Sequence, residues 1–209
     1  MAAKAESLTL TVYNELKNAI IRSRVEPGVF LLESDLADQF KVSKSPVRGA
    51  LSFLQKDGLV EVIPRKGYLV SPIKLGEVQD IYHLRQLLEP TATMQAAANC
   101  TPEFLTALKK TYKPFGVSEV DDIIERHYQF HCLVASAAHN KFLSQFIYSL
   151  LDKTLRILYY VASRGWPFPD HKEDHGAIIE NIEQKDGLAA AQKMSIHLDT
   201  IRASLKDYL

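Results

Sequence analysis

Cysteine is scarce: Cys100 and Cys132 are the two thiols in 209 residues. One bridge is the most they could form, so a disulfide-stapled fold is excluded and a reducing compartment is expected. Charge imbalance is absent as well, with 25 basic against 25 acidic residues, so no global field recruits nucleic acid or a charged surface. No apolar run approaches the roughly 20 residues that cross a bilayer. Met1-Ala2-Ala3-Lys4-Ala5-Glu6 lacks the apolar stretch of a secretory leader. Internal repeats and low-complexity tracts are missing too. These absences lead to the expectation of a soluble, cytoplasmic protein with no membrane partner. With 46% hydrophobic and 24% charged residues, it has ample material for a packed core.

The charge that sums to zero is unevenly spread. Between residues 41 and 74 there are seven lysines and arginines against Asp57 and Glu61. Such a local basic face is what phosphate contact needs. The surrounding pattern predicts a helix over residues 9–23, with Val12, Leu16, Ala19 and Ile20 on one stripe. Pro27-Gly28 ends that region, and a short helix from Glu33 to about Phe40 turns Leu36 and Ala37 inward. After the turn Phe40-Lys41-Val42-Ser43, a second helix starts with Ser45 as N-cap and Pro46 at its first position. It buries Val47, Ala50, Leu51 and Leu54 and stops at Asp57-Gly58. Leu59–Ile63 and Tyr68–Val70 then form a hairpin whose tip is Pro64-Arg65-Lys66-Gly67, with Gly67 supplying positive φ. Helix, turn, basic-fronted helix and wing together predict a winged helix-turn-helix over residues 1–71, made for double-stranded DNA.

The stretch PGVFLLESDLADQFKVSKSPVRGALSFLQKDGLVEVIPRKGYLV resembles the winged helix of the GntR family of bacterial transcription regulators. The family pattern carries a proline-glycine, an S-E-R-x-L-A helix start, a V-S-R-x-P-V-R-E-A-L recognition helix and a basic-glycine wing tip. The resemblance implies DNA contacts from Lys44, Ser45 and Arg48, and from Arg65, Lys66 and Gly67 at the wing. Ser34 stands where the family has a basic residue, and Lys44 replaces an arginine, which alters two-point reading of guanine. Gly49 replaces a glutamate, at about 1 kcal/mol relative to alanine in mid-helix. These departures imply a different operator or weaker binding.

Ser71-Pro72 marks a boundary, and residues 72–209 read as helices alone: 75–98, 102–112, 119–138, 140–163, 170–184 and 187–207. Breakers separate them at Thr101-Pro102, Pro114-Phe115-Gly116, His139-Asn140, Gly165-Trp166-Pro167-Phe168-Pro169 and Asp186-Gly187. The fold class is therefore mainly α, a winged helix followed by an antiparallel all-α bundle.

Four histidines lie on the inward stripes of that bundle. His127 and His131 are spaced i, i+4 and share one side of a helix. His175 and His197 each stand eleven residues from Asp186, so two helices meeting at Lys185-Asp186-Gly187 bring them to one height. A lone histidine on an apolar face is usually a core residue. Four on three helices form a candidate metal site, since neutral imidazole is a common ligand. His83, His139 and His171 read as peripheral. Arg85 sits beside Ile81, Leu84 and Leu88 and has two readings. It either points into the bundle, where it would clamp a carboxylate at two points, or pairs with Glu89 on the surface.

This half is similar to the FadR-like, FCD-type effector domain found in one branch of the same family. The markers are Tyr82-His83-Leu84-Arg85-Gln86-Leu87-Leu88-Glu89, Phe130-His131 with Asn140 downstream, and His175 and His197. The resemblance implies a divalent metal on an Asp and three His, with the Asp position occupied here by His127. It also implies that Arg85 faces an effector pocket. Four neutral ligands leave the ion its full charge and favour Zn²⁺ or Ni²⁺, and Cu²⁺, over Mg²⁺, Ca²⁺ or Mn²⁺; the alternative is that His127 fails to ligate and weakens the site. The expected function is a homodimeric repressor that binds operator DNA and senses a small carboxylate effector at the metal. Two other readings stand beside it: a helical-bundle metalloenzyme, and a regulator whose metal is purely structural. Against the enzyme, His127-Tyr128-Gln129-Phe130-His131 lacks the glutamate of H-E-x-x-H.

Overall fold

The computed structural model describes residues 2–112, 120–167 and 172–209. The predicted breaker at 114–116, Phe168-Pro169 and His171 lie outside the described residues. The chain divides into two compact units, Met1–Ile73 and Lys74–Leu209.

The first unit contains α1 (Ala2–Ile21), β1 (Phe30–Leu31), α2 (Glu33–Phe40), α3 (Lys44–Lys56), β2 (Val60–Ile63) and β3 (Gly67–Val70). Its core gathers Val12, Leu16 and Ile20 of α1 with Leu36 and Ala37 of α2, and with Val47, Ala50, Leu51 and Leu54 of α3. The helix-turn-helix and its hairpin are thus present, and three details differ from expectation. Strand β1 was not anticipated; it pairs antiparallel with β3, so the sheet has the order β1-β3-β2. Helix α3 opens at Lys44 with Ser43 as its extended N-cap, which puts Pro46 at the third helical position rather than the first. Proline fits there because the first N–H groups of a helix have no intrahelical acceptor. Third, Gly49 faces α1: a Cβ there would lie 2.9 Å from Thr9 Cγ2. The residue that weakens α3 on propensity thus lets two helices approach closely.

The second unit is helical throughout its described residues: α4 (Leu75–Ala98), α5 (Pro102–Thr111), α6 (Val120–Ala137), α7 (Lys141–Ser163), α8 (Lys172–Glu183) and α9 (Gly187–Ser204), with a final 3-10 turn. Side-chain caps set three starts: Thr101 accepts from Phe104 N, Asn140 from Leu143 N and Asp186 from Ala189 N. Helix α4 packs against α6, α7, α8 and α9. The apolar core joins Phe130 and Val134 of α6 to Ile178, Ile179 and Ile182 of α8 and to Ala190, Met194 and Leu198 of α9. His175, Ile178, Ile179 and Ile182 form one buried stripe on α8, and Ala190, Met194, His197, Leu198 and Ile201 form another on α9. Each stripe carries histidine, so the packing that builds the core also brings the imidazoles together.

Candidate functional site

In the first unit the candidate DNA residues stay outside. Lys44, Ser45 and Arg48 are exposed on α3, while Pro46, Val47, Ala50 and Leu51 of the same helix are buried. The basic residues are therefore free of core duties. Arg48 donates from Nε and Nη2 to the two Glu33 oxygens at 3.0 and 2.7 Å. That pair is exposed on the arginine side (66%), so it is screened and easily exchanged for a phosphate or a base edge. Arg65 and Lys66 are exposed at the hairpin tip. Arg65 and Gly67 both have positive φ, 65° and 106°. Gly67 has a second reason to be glycine: a Cβ would sit 2.7 Å from the Leu31 carbonyl oxygen of β1. The wing tip is thus braced by the strand that the sequence did not reveal.

In the second unit His127, His131, His175 and His197 converge, all buried, each offering a ligand atom within 4.8 Å of the others. His175 Nε2 lies 3.1 Å from His197 Nε2, and His197 Nε2 lies 3.3 Å from His131 Nε2. A tetrahedral ion with bonds of about 2.0–2.1 Å needs ligand atoms about 3.4 Å apart. The facing of His175 and His197 follows from their equal distance to the α8–α9 turn. The His127 ring is 4.6 Å from that of His131 and 5.2 Å from that of His175, centre to centre. Phe130 stacks on His175 at 3.9 Å and closes one side of the cluster. His83 and His139 are exposed, well apart from this role.

The surroundings bias the protonation. His131 Nδ1 is 2.5 Å from Glu89 Oε2. Burial pushes the Glu89 carboxyl up, but the Arg85 guanidinium, and then His131, outweigh it and hold it down at about 2. An ionised carboxylate can only accept, so His131 donates from Nδ1. Burial in turn lowers the His131 ring to about 4, leaving it neutral. Nε2 is then a bare lone pair facing the other imidazoles. His197 is arranged in the same sense, with Nδ1 3.5 Å from Asp174 Oδ2, and burial lowers its pKa as well. The Nε2 atoms of His131 and His197 therefore face each other across 3.3 Å, a separation that suits either one shared proton or two ligands of one ion. The donor set, neutral imidazoles with carboxylates behind them, fits a borderline divalent ion.

Arg85 is completely buried, not on the surface, yet it does pair with Glu89: Nε donates to Oε1 at 2.5 Å. Nη1 reaches Thr154 Oγ1 at 3.4 Å, and the guanidinium lies 5.0 Å from the centre of the Tyr82 ring. Nη2 is buried and makes no hydrogen bond among the described residues. Leu84, expected beside it, is 45% exposed. Sequence reasoning missed Glu89 as a buried group. The signal was available, since Tyr82, Arg85, Glu89, Thr93 and Ala96 recur at helical spacing on one buried stripe.

Comparison with known proteins agrees with this architecture. Residues 8–70 match the family described as bacterial regulatory proteins, gntR family, and residues 80–200 match the FCD domain. The HTH-type transcriptional regulator YdhC of Bacillus subtilis is 30% identical, over 96% of this chain and 92% of that protein. The HTH-type transcriptional repressor RspR of Escherichia coli is 26% identical, over 93% of this chain and 87% of that one. Among solved structures, Escherichia coli McbR/YncC superposes with a TM-score of 0.76 at 23% identity, covering 96% of this chain and 97% of that one, a likeness of fold. These relatives are regulators and not enzymes. The chain belongs to the GntR family of bacterial transcription regulators, with an FCD domain as its helical half.

Proposed function

We propose that this regulator is a homodimeric repressor that senses a small carboxylate at a metal held by His127, His131, His175 and His197. The observation that carries the reading is the convergence of four buried imidazoles, each offering a ligand nitrogen within 4.8 Å of the others. A bound divalent ion, Zn²⁺ or Ni²⁺, supplies the positive charge that this donor set lacks and a partner for anionic oxygens. The chain's own residues do the rest. The four rings fix the ion's position, and Glu89 and Asp174 stand behind two of them. Arg85 offers its buried Nη2 to one oxygen of the effector carboxylate. A ligand that binds one conformation better than another shifts the population toward it, and so changes how two winged helices meet a two-fold operator.

At the DNA, Lys44, Ser45 and Arg48 enter the major groove while Arg65, Lys66 and Gly67 of the wing follow the sugar-phosphate backbone. All but Gly67 are exposed, which supports the assignment.

The test is metal content per chain, by elemental mass spectrometry on protein free of any histidine tag. Near-stoichiometric zinc or nickel is the expected result, falling well below stoichiometry in His131→Ala. Protein that neither carries nor takes up either metal overturns the site. Metal that is retained while carboxylate addition leaves operator affinity unchanged assigns the ion a structural role instead.

A further inference from the structure

Glu89 is almost wholly buried at 2% exposure and stands between two groups that a carboxylate serves together as acceptor. Its Oε1 accepts from Arg85 Nε and its Oε2 accepts from His131 Nδ1, each at 2.5 Å. Arg85 and Glu89 are one turn apart on α4, while His131 is on α6. The carboxylate therefore carries a constraint from one helix to the next. Neutral imidazole has one N–H, and its location decides which nitrogen can ligate. With Nδ1–H committed to Glu89, the lone pair falls on Nε2, which points at His197 Nε2.

From this geometry we infer that Glu89 is the positioning residue that sets the His131 tautomer and so makes His131 Nε2 competent to hold a metal. The inference rests on the metal reading of the four-histidine cluster. It makes an unusual demand on the isosteric replacement Glu89→Gln. Glutamine has one acceptor oxygen and one donor NH₂. Arg85 can only donate, so the amide oxygen turns to Arg85. The NH₂ then faces His131 Nδ1, which must become the acceptor, and the ring proton moves to Nε2. The opposite amide orientation sets NH₂ against guanidinium inside the core, two donors face to face. A change of one heavy atom thus reverses the tautomer and removes one ligand, with packing volume unchanged.

The experiment uses the full chain, tag-free, metal-stripped and ¹⁵N-labelled. Long-range ¹H–¹⁵N correlation spectra identify which ring nitrogen of His131 carries the proton, and the same samples are titrated with Zn²⁺ against a chromophoric chelator. Wild type is expected to show Nδ1–H. Glu89→Gln is expected to show Nε2–H with Zn²⁺ affinity lowered about 10–100-fold, and Glu89→Asp to restore Nδ1–H. The wild-type spectrum tests the inference even where a variant folds poorly, since Nε2–H there overturns it. A Glu89→Gln protein that keeps Nδ1–H and full affinity overturns it too. Wild type that shows Nδ1–H but takes up no Zn²⁺ overturns the metal reading and the ligand half of the inference, while Glu89 retains control of the ring.

Discussion

Arg48 and Arg85 each close an ion pair with a glutamate, one in each unit of the chain, in opposite surroundings. The Arg48–Glu33 pair is on the surface, with side chains 66% and 23% exposed. The Arg85–Glu89 pair is sealed in the bundle, at 0% and 2%. Water solvates the first pair whether or not it forms, so Arg48 can exchange its partner at little cost. The second pair has no water to fall back on. Each member depends on the other, and through Glu89 on His131. In the winged unit the candidate DNA residues lie on top of the fold; in the helical unit the candidate site is made of core residues, so its integrity and the unit's stability draw on the same contacts.

The largest effect that would test this contrast is Arg85→Ala. It strands Glu89 as a buried, uncompensated charge, which typically costs about 3–5 kcal/mol. Denaturant unfolding of the metal-free chain should show the helical unit losing most of its stability. Arg85→Lys keeps the charge and should recover part of it, without the planar fork that reaches Glu89 and Thr154 and leaves a further donor for an effector oxygen. A near-neutral Arg85→Ala would mean that water reaches the pair, and that the two units are not so different.

Arg48→Ala is the matched change on the other side. Stability should stay close to wild type, because a solvated pair contributes little. DNA binding should change instead. On a duplex that wild type selects from a random pool, affinity falls. If Arg48 touches phosphate, the slope of log affinity against log salt drops by about one. If it reads a base, preference at one position of the site is lost and the slope is kept. Unchanged affinity and slope would take Arg48 out of the interface.

The same division explains what could be read from the sequence. The histidine cluster was legible because the rings ride on strong apolar stripes, and because two of them are tied by a short turn whose position Asp186-Gly187 gives away. The exposed face of α3 was legible for the converse reason, charges alternating with Val47, Ala50 and Leu51. Strand β1 was not. Phe30-Leu31 is two residues long, carries no periodicity, and exists only because β3 comes back beside it. Nor was the depth of Glu89. An acid four residues after an arginine is by default a surface pair, and only packing from α6 and α7 turns it inward. The start of α3 moved by two residues because proline is tolerated over several positions of the first turn. Apart from that helix start, what escaped was set by distant chain segments.

Gly49 offers the smallest and sharpest probe of the winged unit. On propensity alone, Gly49→Ala should stabilise α3 by about 1 kcal/mol. The added Cβ, however, meets Thr9 Cγ2 at 2.9 Å and Thr9 Oγ1 at 3.4 Å, so either α1 gives way or the gain is spent. The single variant should therefore be close to neutral. Thr9→Ala removes both crowding atoms and leaves Thr9 Cβ, at 3.8 Å, as an ordinary contact. Gly49→Ala made in that background should show the full propensity gain, so that the two changes together are more stable than their separate effects predict. A double-mutant cycle from urea unfolding reads this coupling directly. Strict additivity would mean that the helices already have room to part, and that the glycine answers to something other than Thr9. Because Gly49 lies on α3 between the exposed residues Lys44, Ser45 and Arg48 and the buried Ala50 and Leu51, a stabilising pair that leaves DNA affinity unchanged would show folding and binding to be separable in this unit.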